Sequence, residues 1–320
     1  MPSILKTLGA VVAGLAAVTS ALPAIPKLTD SQMKMFRHAK RQNAAAAALG
    51  INDVDILQFA LTLEWLEAAF YQQGFARFPA TDFQGLGLNE RQIEDLLKVG
   101  KTEEEHVILL QSAIAQAGVQ PVQPCTYNFG FTDAAGMVAT AAVLENVGVS
   151  AYLGAAALIS DGSILTTAGS ILTIEARHQT FIRAASGAIA VPQAFDTPLS
   201  PKQVFSLAAP FIESCPEGSN LILTAFPTLA MAAGQNAAAV TAGSTIQLQS
   251  DVSGTATHCA FTTGGLPGGT SFTVFDAATG CAVPQGLSGV TYVSLASGGP
   301  LDGKLTDELT VAGPMVMIIS

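Results

Sequence analysis

Glutamate followed three residues later by histidine occurs twice in this chain, at Glu103–His106 and at Glu175–His178. There are four histidines, His38, His106, His178 and His258, so the pattern takes up half of them. On a helix, positions i and i+3 share a face, and each pair can present a carboxylate and an imidazole to one point. Carboxylate oxygen is a hard donor and imidazole nitrogen a borderline one, a mixture that suits divalent iron or manganese. Zinc more often recruits sulfur or further histidine. Among Glu103, Glu104 and Glu105, only Glu103 has the spacing to reach the same point as His106; the other two are expected to face outward.

Two further stretches extend the set. Glu64-Trp-Leu-Glu67-Ala-Ala-Phe-Tyr71 and Glu145-Asn-Val-Gly-Val-Ser-Ala-Tyr152 both place a tyrosine seven residues after a glutamate. Seven residues is two helical turns, so each tyrosine lies on its glutamate's face. The chain therefore reads as a helix pair used twice: Glu-x6-Tyr, then Glu-x-x-His. Glu64 and Glu145 are 81 residues apart, Glu103 and Glu175 are 72, and the difference falls in the first connection. Glu145 sits within Ala139–Val149, a strongly apolar run. A lone carboxylate there is costly unless it is paired, protonated or bound to metal. Glu175 follows Ile171-Leu-Thr-Ile and makes the same case.

The expected ligands are Glu64, Glu103, His106, Glu145, Glu175 and His178, whose four carboxylates offset the charge of two divalent ions. Glu67, one turn beyond Glu64, is an alternative ligand or a carboxylate just behind the ligands. Tyr71 and Tyr152 can serve as hydrogen-bond donors beside the metals, as redox-active phenols, or as core filling with paired hydroxyls. His258, beside Cys259, reads as a surface or structural histidine, and Trp65 as packing.

Long helices must position these side chains. The first is expected from about Asp53 to Gln73, capped by Asn52 or Asp53 and ended by Gly74. The second runs from about Asn89 to Gln116, closed by Gly118; the third follows Thr132-Asp133 and runs to about Ile159; the fourth spans about Ser163 to Ser186. The 14 or so residues between the second and third reach about 45 Å when extended, enough to cross the length of a bundle. The other connections fit hairpins, so the fold class is mainly α: a four-helix bundle with one long crossover. Shorter helices are expected near Pro201–Phe211 and Leu221–Ala233. Near residue 235 the composition shifts to Thr, Val, Ser and Gly, with alternating runs such as Thr245–Gln249 and Ser271–Phe275. Residues 50–234 are thus read as a helical domain and 235–320 as a small β-rich, sandwich-like domain ending in a strand over Val311–Ser320.

The ends and composition bound the setting. Lys6, an apolar run from Leu8 to Val18 and Thr19-Ser-Ala21 form a signal-peptide pattern, so residues 1–21 are expected to be removed. The run is too short to span a membrane, and no second apolar stretch of about 20 residues is expected after it, which argues against an anchor. Residues 22–41 are basic and end in Lys40-Arg41, a propeptide pattern. The full chain carries 14 basic and 24 acidic residues, a net −10; without residues 1–41 it would carry 8 and 23, a net −15. Nucleic acid is excluded as a partner for want of a basic stripe. An even count of four cysteines in a secreted chain favours disulfides. Their positions on either side of residue 230 favour Cys125–Cys215 and Cys259–Cys281.

With these motifs in place, residues 50–190 or so resemble the ferritin-like di-iron carboxylate superfamily. Its members bring one Glu from each of two helices and a Glu-x-x-His from each of the other two. More narrowly, the Leu63-Glu-Trp-Leu-Glu-Ala-Ala-Phe-Tyr71 start and the tail with Val311-Ala-Gly-Pro314 resemble secreted fungal ferritin-like stress-response proteins, with plant desiccation-related proteins more distant. The resemblance implies two iron ions, with manganese as the alternative, and dioxygen or peroxide as reactant in an extracellular or cell-wall setting. Cage-type iron storage fits poorly, because a β domain would obstruct close packing of bundles. The competing reading is a non-enzymatic extracellular protein in which metal holds the bundle together and the β domain contacts the wall or another protein.

Overall fold

A computed structural model describes residues 50–217, 219, 223–235 and 240–319. The expected signal peptide and propeptide lie outside the described residues. Six α-helices and ten strands are described: α1 Asp53–Arg77, α2 Ala80–Gly85, α3 Glu90–Gln116, β1 Thr126–Tyr127, α4 Ala134–Ala156, α5 Gly162–Ala185, α6 Pro201–Ala208, β2 Ile212–Ser214, β3 Ala230–Met231, β4 Thr245–Ile246, β5 Leu248–Gln249, β6 His258–Thr262, β7 Thr270–Val274, β8 Cys281–Ala282, β9 Gly289–Ala296 and β10 Thr310–Ile319.

Local chemistry sets the helix starts. Asn52 accepts from the amides of Val54 and Asp55 while the Asp55 carboxylate returns a bond to the Asn52 amide; Asn89 and Gln92 repeat the arrangement at α3. Such boxes satisfy amides that have no partner within the helix. Asp133 and Asp161 cap α4 and α5. Asp53 is therefore not the cap: its carboxylate accepts from the amides of Ser160 and Asp161, both at 2.8 Å, and ties the α4–α5 turn to the start of α1.

Two helix ends separate glycine's two uses. Gly118 follows α3 with φ +76°, a left-handed conformation that ends the helix as expected. Gly74 does not end α1, which continues to Arg77; a Cβ on it would collide with Met137 of α4. Its missing side chain serves close helix contact rather than termination. The helix expected over 221–233 is also corrected. Residues 223–229 form no helix, and Ala230–Met231 pairs with β5. Pro227 lies in this stretch, where it removes an amide donor and disfavours helix before it.

α1 packs chiefly on α3 and α4 chiefly on α5, giving the bundle of two repeated pairs. The longer first connection is filled by α2, a short helix whose Phe83 is buried. The long crossover is strapped to α1: Gln58 bonds the backbone of Gln120 and Val122, and the Trp65 indole N–H donates to the Val122 carbonyl at 3.1 Å. The crossover also carries β1, paired with β2, and the Cys125–Cys215 disulfide. Cys259–Cys281 is the second disulfide, as expected from the sequence. α4 is long and apolar enough to cross a membrane by length and composition, against the expectation that no such stretch follows the leader. About two-thirds of its most apolar window is buried inside the protein, and the central helix of a bundle needs that composition equally.

The C-terminal strands form an antiparallel sheet in the order β10-β9-β6-β7, with three two-stranded ladders beside it. β9 is buried along its whole length. Its alternation explains why: Val290 and Tyr292 join the core of the helices, while Val293 and Leu295 join a second core with Cys259, Phe261, Ile246 and Cys281. The sheet therefore packs directly on the bundle.

Candidate metal centre

Each long helix contributes to one buried cluster. α1 brings Glu64 and Glu67, α3 brings Glu103 and His106, α4 brings Glu145, and α5 brings Glu175 and His178. Glu103, Glu145 and Glu175 have no exposed surface, and the most exposed member, His106, is 8% exposed. Glu104 and Glu105 lie on the exposed face of α3, as their spacing requires.

The six expected ligands fall into two overlapping groups. Glu64, Glu103, His106 and Glu175 offer donor atoms all within 4.8 Å of one another, and so do Glu103, Glu145, Glu175 and His178. Glu103 and Glu175 belong to both. The groups are related as the helix pairs are: each takes the lone glutamate and the Glu-x-x-His of one pair and borrows the middle carboxylate of the other.

Both imidazoles aim Nδ1 inward. His106 Nδ1 lies 3.1 Å from Glu103, 3.2 Å from Glu64 and 3.3 Å from Glu175. His178 Nδ1 lies 2.8 Å from Glu103 and 3.1 Å from Glu145. One N–H can satisfy one acceptor well, so the remaining oxygens converge on the same point without a proton to share. Both oxygens of Glu175 and Oε1 of Glu103 are buried without a well-aligned hydrogen bond, although Glu103 Oε1 and Glu175 Oε1 stand 2.8 and 3.3 Å from the imidazole nitrogens. Orphaned buried carboxylate oxygens around two inward imidazole nitrogens fit divalent cations, which can accept several oxygen donors at once. Glu64, Glu103, His106, Glu145, Glu175 and His178 would hold them.

The electrostatics carry the same message. Burial pushes Glu64 up, and although its bond to His106 opposes this, the carboxyl stands at about 7. Glu175 is raised well above the usual range by burial and then by Glu103; Glu145 is raised by the same two causes. Burial also opposes the charged imidazoliums. The carboxylates around them win, holding His106 up at about 12 and His178 at about 10. Glu103 would likewise be raised by burial, but its contacts with both histidines bring it down to about 2. In the metal-free chain, two imidazolium charges thus stand in for cations.

Glu67 is buried on the same face but belongs to neither donor group. Burial first, and Glu175 next, raise its pKa well above the ordinary value. It is a fifth acid beside the centre, in surroundings that favour its protonated form. Gly148 makes room for it: a Cβ there would lie 2.6 Å from Glu175 Oε2 and 3.1 Å from Glu67 Oε1.

The tyrosines act as hydrogen-bond donors to the cluster. Each shares the buried side of its helix with its own glutamate, as expected, and donates to the glutamate of the other helix: Tyr71 to Glu145, and Tyr152 to Glu64. Seven residues separate Tyr from Glu by about 10.5 Å along one helix, too far for a bond. Antiparallel α1 and α4 bring each tyrosine level with its counterpart's glutamate. Sequence reasoning also missed Thr102, whose hydroxyl lies 2.9 Å from His178 Nε2 and orients that ring. It missed a buried chain behind Glu145 as well. Gln179 donates to Asn146, and the Tyr292 hydroxyl from β9 lies 2.6 Å from Asn146 Nδ2 and 2.7 Å from Ser150 Oγ. Polar residues in so apolar a helix were the available signal, but their partner lies far off in sequence. His258 stands away from the cluster on β6, hydrogen-bonded through Nδ1 to Thr257.

Comparison with known proteins agrees with this geometry. Residues 52–188 match a family model described as a ferritin-like domain. Protein rds1 of Schizosaccharomyces pombe is 25% identical over 178 residues, covering 55% of this chain and 44% of that protein. The chain thus matches less than half the length of this fungal relative. The repeated helix pair, the long crossover and the family match over residues 52–188 together make this part of the chain a ferritin-like domain.

Proposed function

We propose that this chain is an extracellular protein holding a dinuclear metal centre, iron by preference and manganese as the alternative, that reacts with dioxygen or peroxide in a protective or stress role. The observation that carries this reading is the pair of overlapping donor groups sharing Glu103 and Glu175. Bound there, two adjacent redox ions supply electrons to dioxygen or peroxide. The chain's own residues do the rest. Tyr71 and Tyr152 fix the carboxylates of Glu145 and Glu64, Thr102 orients His178, and Glu67, whose surroundings favour its protonated form, stands beside Glu175. Two disulfides are consistent with an oxidising, extracellular compartment. Loading the purified chain with Fe(II) without oxygen, then adding dioxygen or peroxide, tests the reading. An optical change and oxidant consumption in proportion to bound iron support it; bound iron that stays inert contradicts it.

The second reading is a non-enzymatic protective protein. The near-complete burial of the cluster favours it, since ions there would bind four helices together and stabilise the fold outright. In that case the β-rich part would supply contacts with the wall or another protein. Metal uptake with stabilisation but no turnover is its signature.

A further inference from the structure

The two halves of the centre differ in what lies behind their tyrosines. Tyr71 is enclosed by rings, with Phe70 edge-on at 5.1 Å and Phe75 stacked at 5.7 Å between centroids. Its counterpart Tyr152 lines a cavity at the end of the bundle closed by the α4–α5 turn. Alanines open this space: Ala60, Ala151, Ala155 and Ala168 stand where bulkier side chains would fill a helix bundle. Apart from the Tyr152 and Thr167 hydroxyls, its walls are aliphatic or aromatic. At the outer side Thr167 is exposed and Ala60, Ala155 and Ala168 are half-buried. At the inner side Leu63 adjoins Glu64, Ile171 lies one turn before Glu175, and Tyr152 donates to Glu64. The cavity thus lies between the protein surface and Tyr152, the lining residue whose hydroxyl donates to Glu64.

Its size narrows the occupant. The cavity volume is about 30 Å³. By the same measure one water needs roughly 10–15 Å³, and apolar cavities stay dry while accepting apolar guests. Rings and branched chains do not fit. Hydrogen peroxide finds only the Tyr152 and Thr167 hydroxyls as partners on these walls, and each hydrogen bond it leaves unmade costs about 1–3 kcal/mol, whereas dioxygen needs none.

We infer that this cavity holds a small apolar molecule of dioxygen's size and delivers it to the Glu64–His106 half, so that dioxygen rather than peroxide is the oxidant it serves. The delivery role rests on the function proposed above; the binding does not. The test uses xenon as the probe on crystals of the metal-free full chain. One xenon site between Leu63, Leu110 and Tyr152 is expected, and it should vanish in Ala168→Leu, with Ala60→Val as a second blocking variant if the first does not fold. In the iron-loaded chain, either variant should slow dioxygen-dependent oxidation about tenfold relative to peroxide-dependent oxidation. Absence of xenon in the wild type overturns the binding. Dioxygen rates unaltered by a variant that excludes xenon, or both oxidants slowed equally, overturn the delivery role. A wild-type chain that takes up no iron would refute the proposed function instead, leaving the xenon result to decide the cavity.

Discussion

Replacing Glu145 with Gln removes one charge from the middle of α4 while keeping the side chain's shape. It takes one ligand from the group of Glu103, Glu145, Glu175 and His178 and none from the group of Glu64, Glu103, His106 and Glu175. One site should be lost and one kept. With metal at 100 times its Kd, each filled site stabilises the folded chain by about 2.7 kcal/mol. Two sites give about 5 kcal/mol, and at about 2–4 °C per kcal/mol the wild-type melting temperature should rise by ~10–20 °C. The variant should show about half that rise and hold about one ion per chain. Without metal the change should be small. Burial, then the charge of Glu103, disfavours a carboxylate at 145, so a neutral amide relieves a cost. Against this, Tyr71 and His178 lose a charged acceptor, worth about 1.5–3 kcal/mol for a bond to a charged group. Calorimetric melts with and without Fe(II) or Mn(II), alongside elemental analysis, measure both effects. A variant that keeps two ions and the full rise would refute the assignment of Glu145 as a ligand.

Three further outcomes are expected. Gly148→Ala should destabilise the metal-free chain by about 1–3 kcal/mol in urea titrations, despite alanine's better helix propensity, because the new methyl meets Glu175 and Glu67; it should also weaken metal binding. Tyr292→Phe should cost about 1–3 kcal/mol by leaving Asn146 and Ser150 short of a buried partner, with little change in metal content. Metal uptake should release protons: His106 at about 12 and His178 at about 10 are both protonated at pH 7 without metal, and ions must displace both protons. Affinity should therefore rise with pH and fall as acid favours the empty, protonated form, with at least two protons released at pH 7 in titration calorimetry across buffers of different ionisation enthalpy. Affinity independent of pH would contradict this.

The residues of the buried cluster were legible in the sequence because helical spacing is a local rule. Glu-x-x-His and Glu-x6-Tyr each lie within two turns, and burial of Glu145 follows from the apolar run around it. The caps at Asn52, Asn89, Asp133 and Asp161 were legible for the same reason. What depended on how one helix lies against another was not. The tyrosines pair across α1 and α4, Gly74 yields to Met137 instead of ending α1, and Tyr292 reaches Asn146 from 146 residues away. The missing helix at 223–229 is of a different kind, since Pro227 offered a local warning that helical periodicity outweighed. The cavity beside Tyr152 is made of alanines that periodicity counts simply as apolar.

The most direct test of the account is the metal content of the purified wild-type chain at saturation, by elemental analysis. Two iron or manganese ions per chain, reduced to none when the shared Glu103 and Glu175 are both replaced by Gln, is the predicted result. A chain that takes up no metal, or that keeps two ions without those carboxylates, would contradict it.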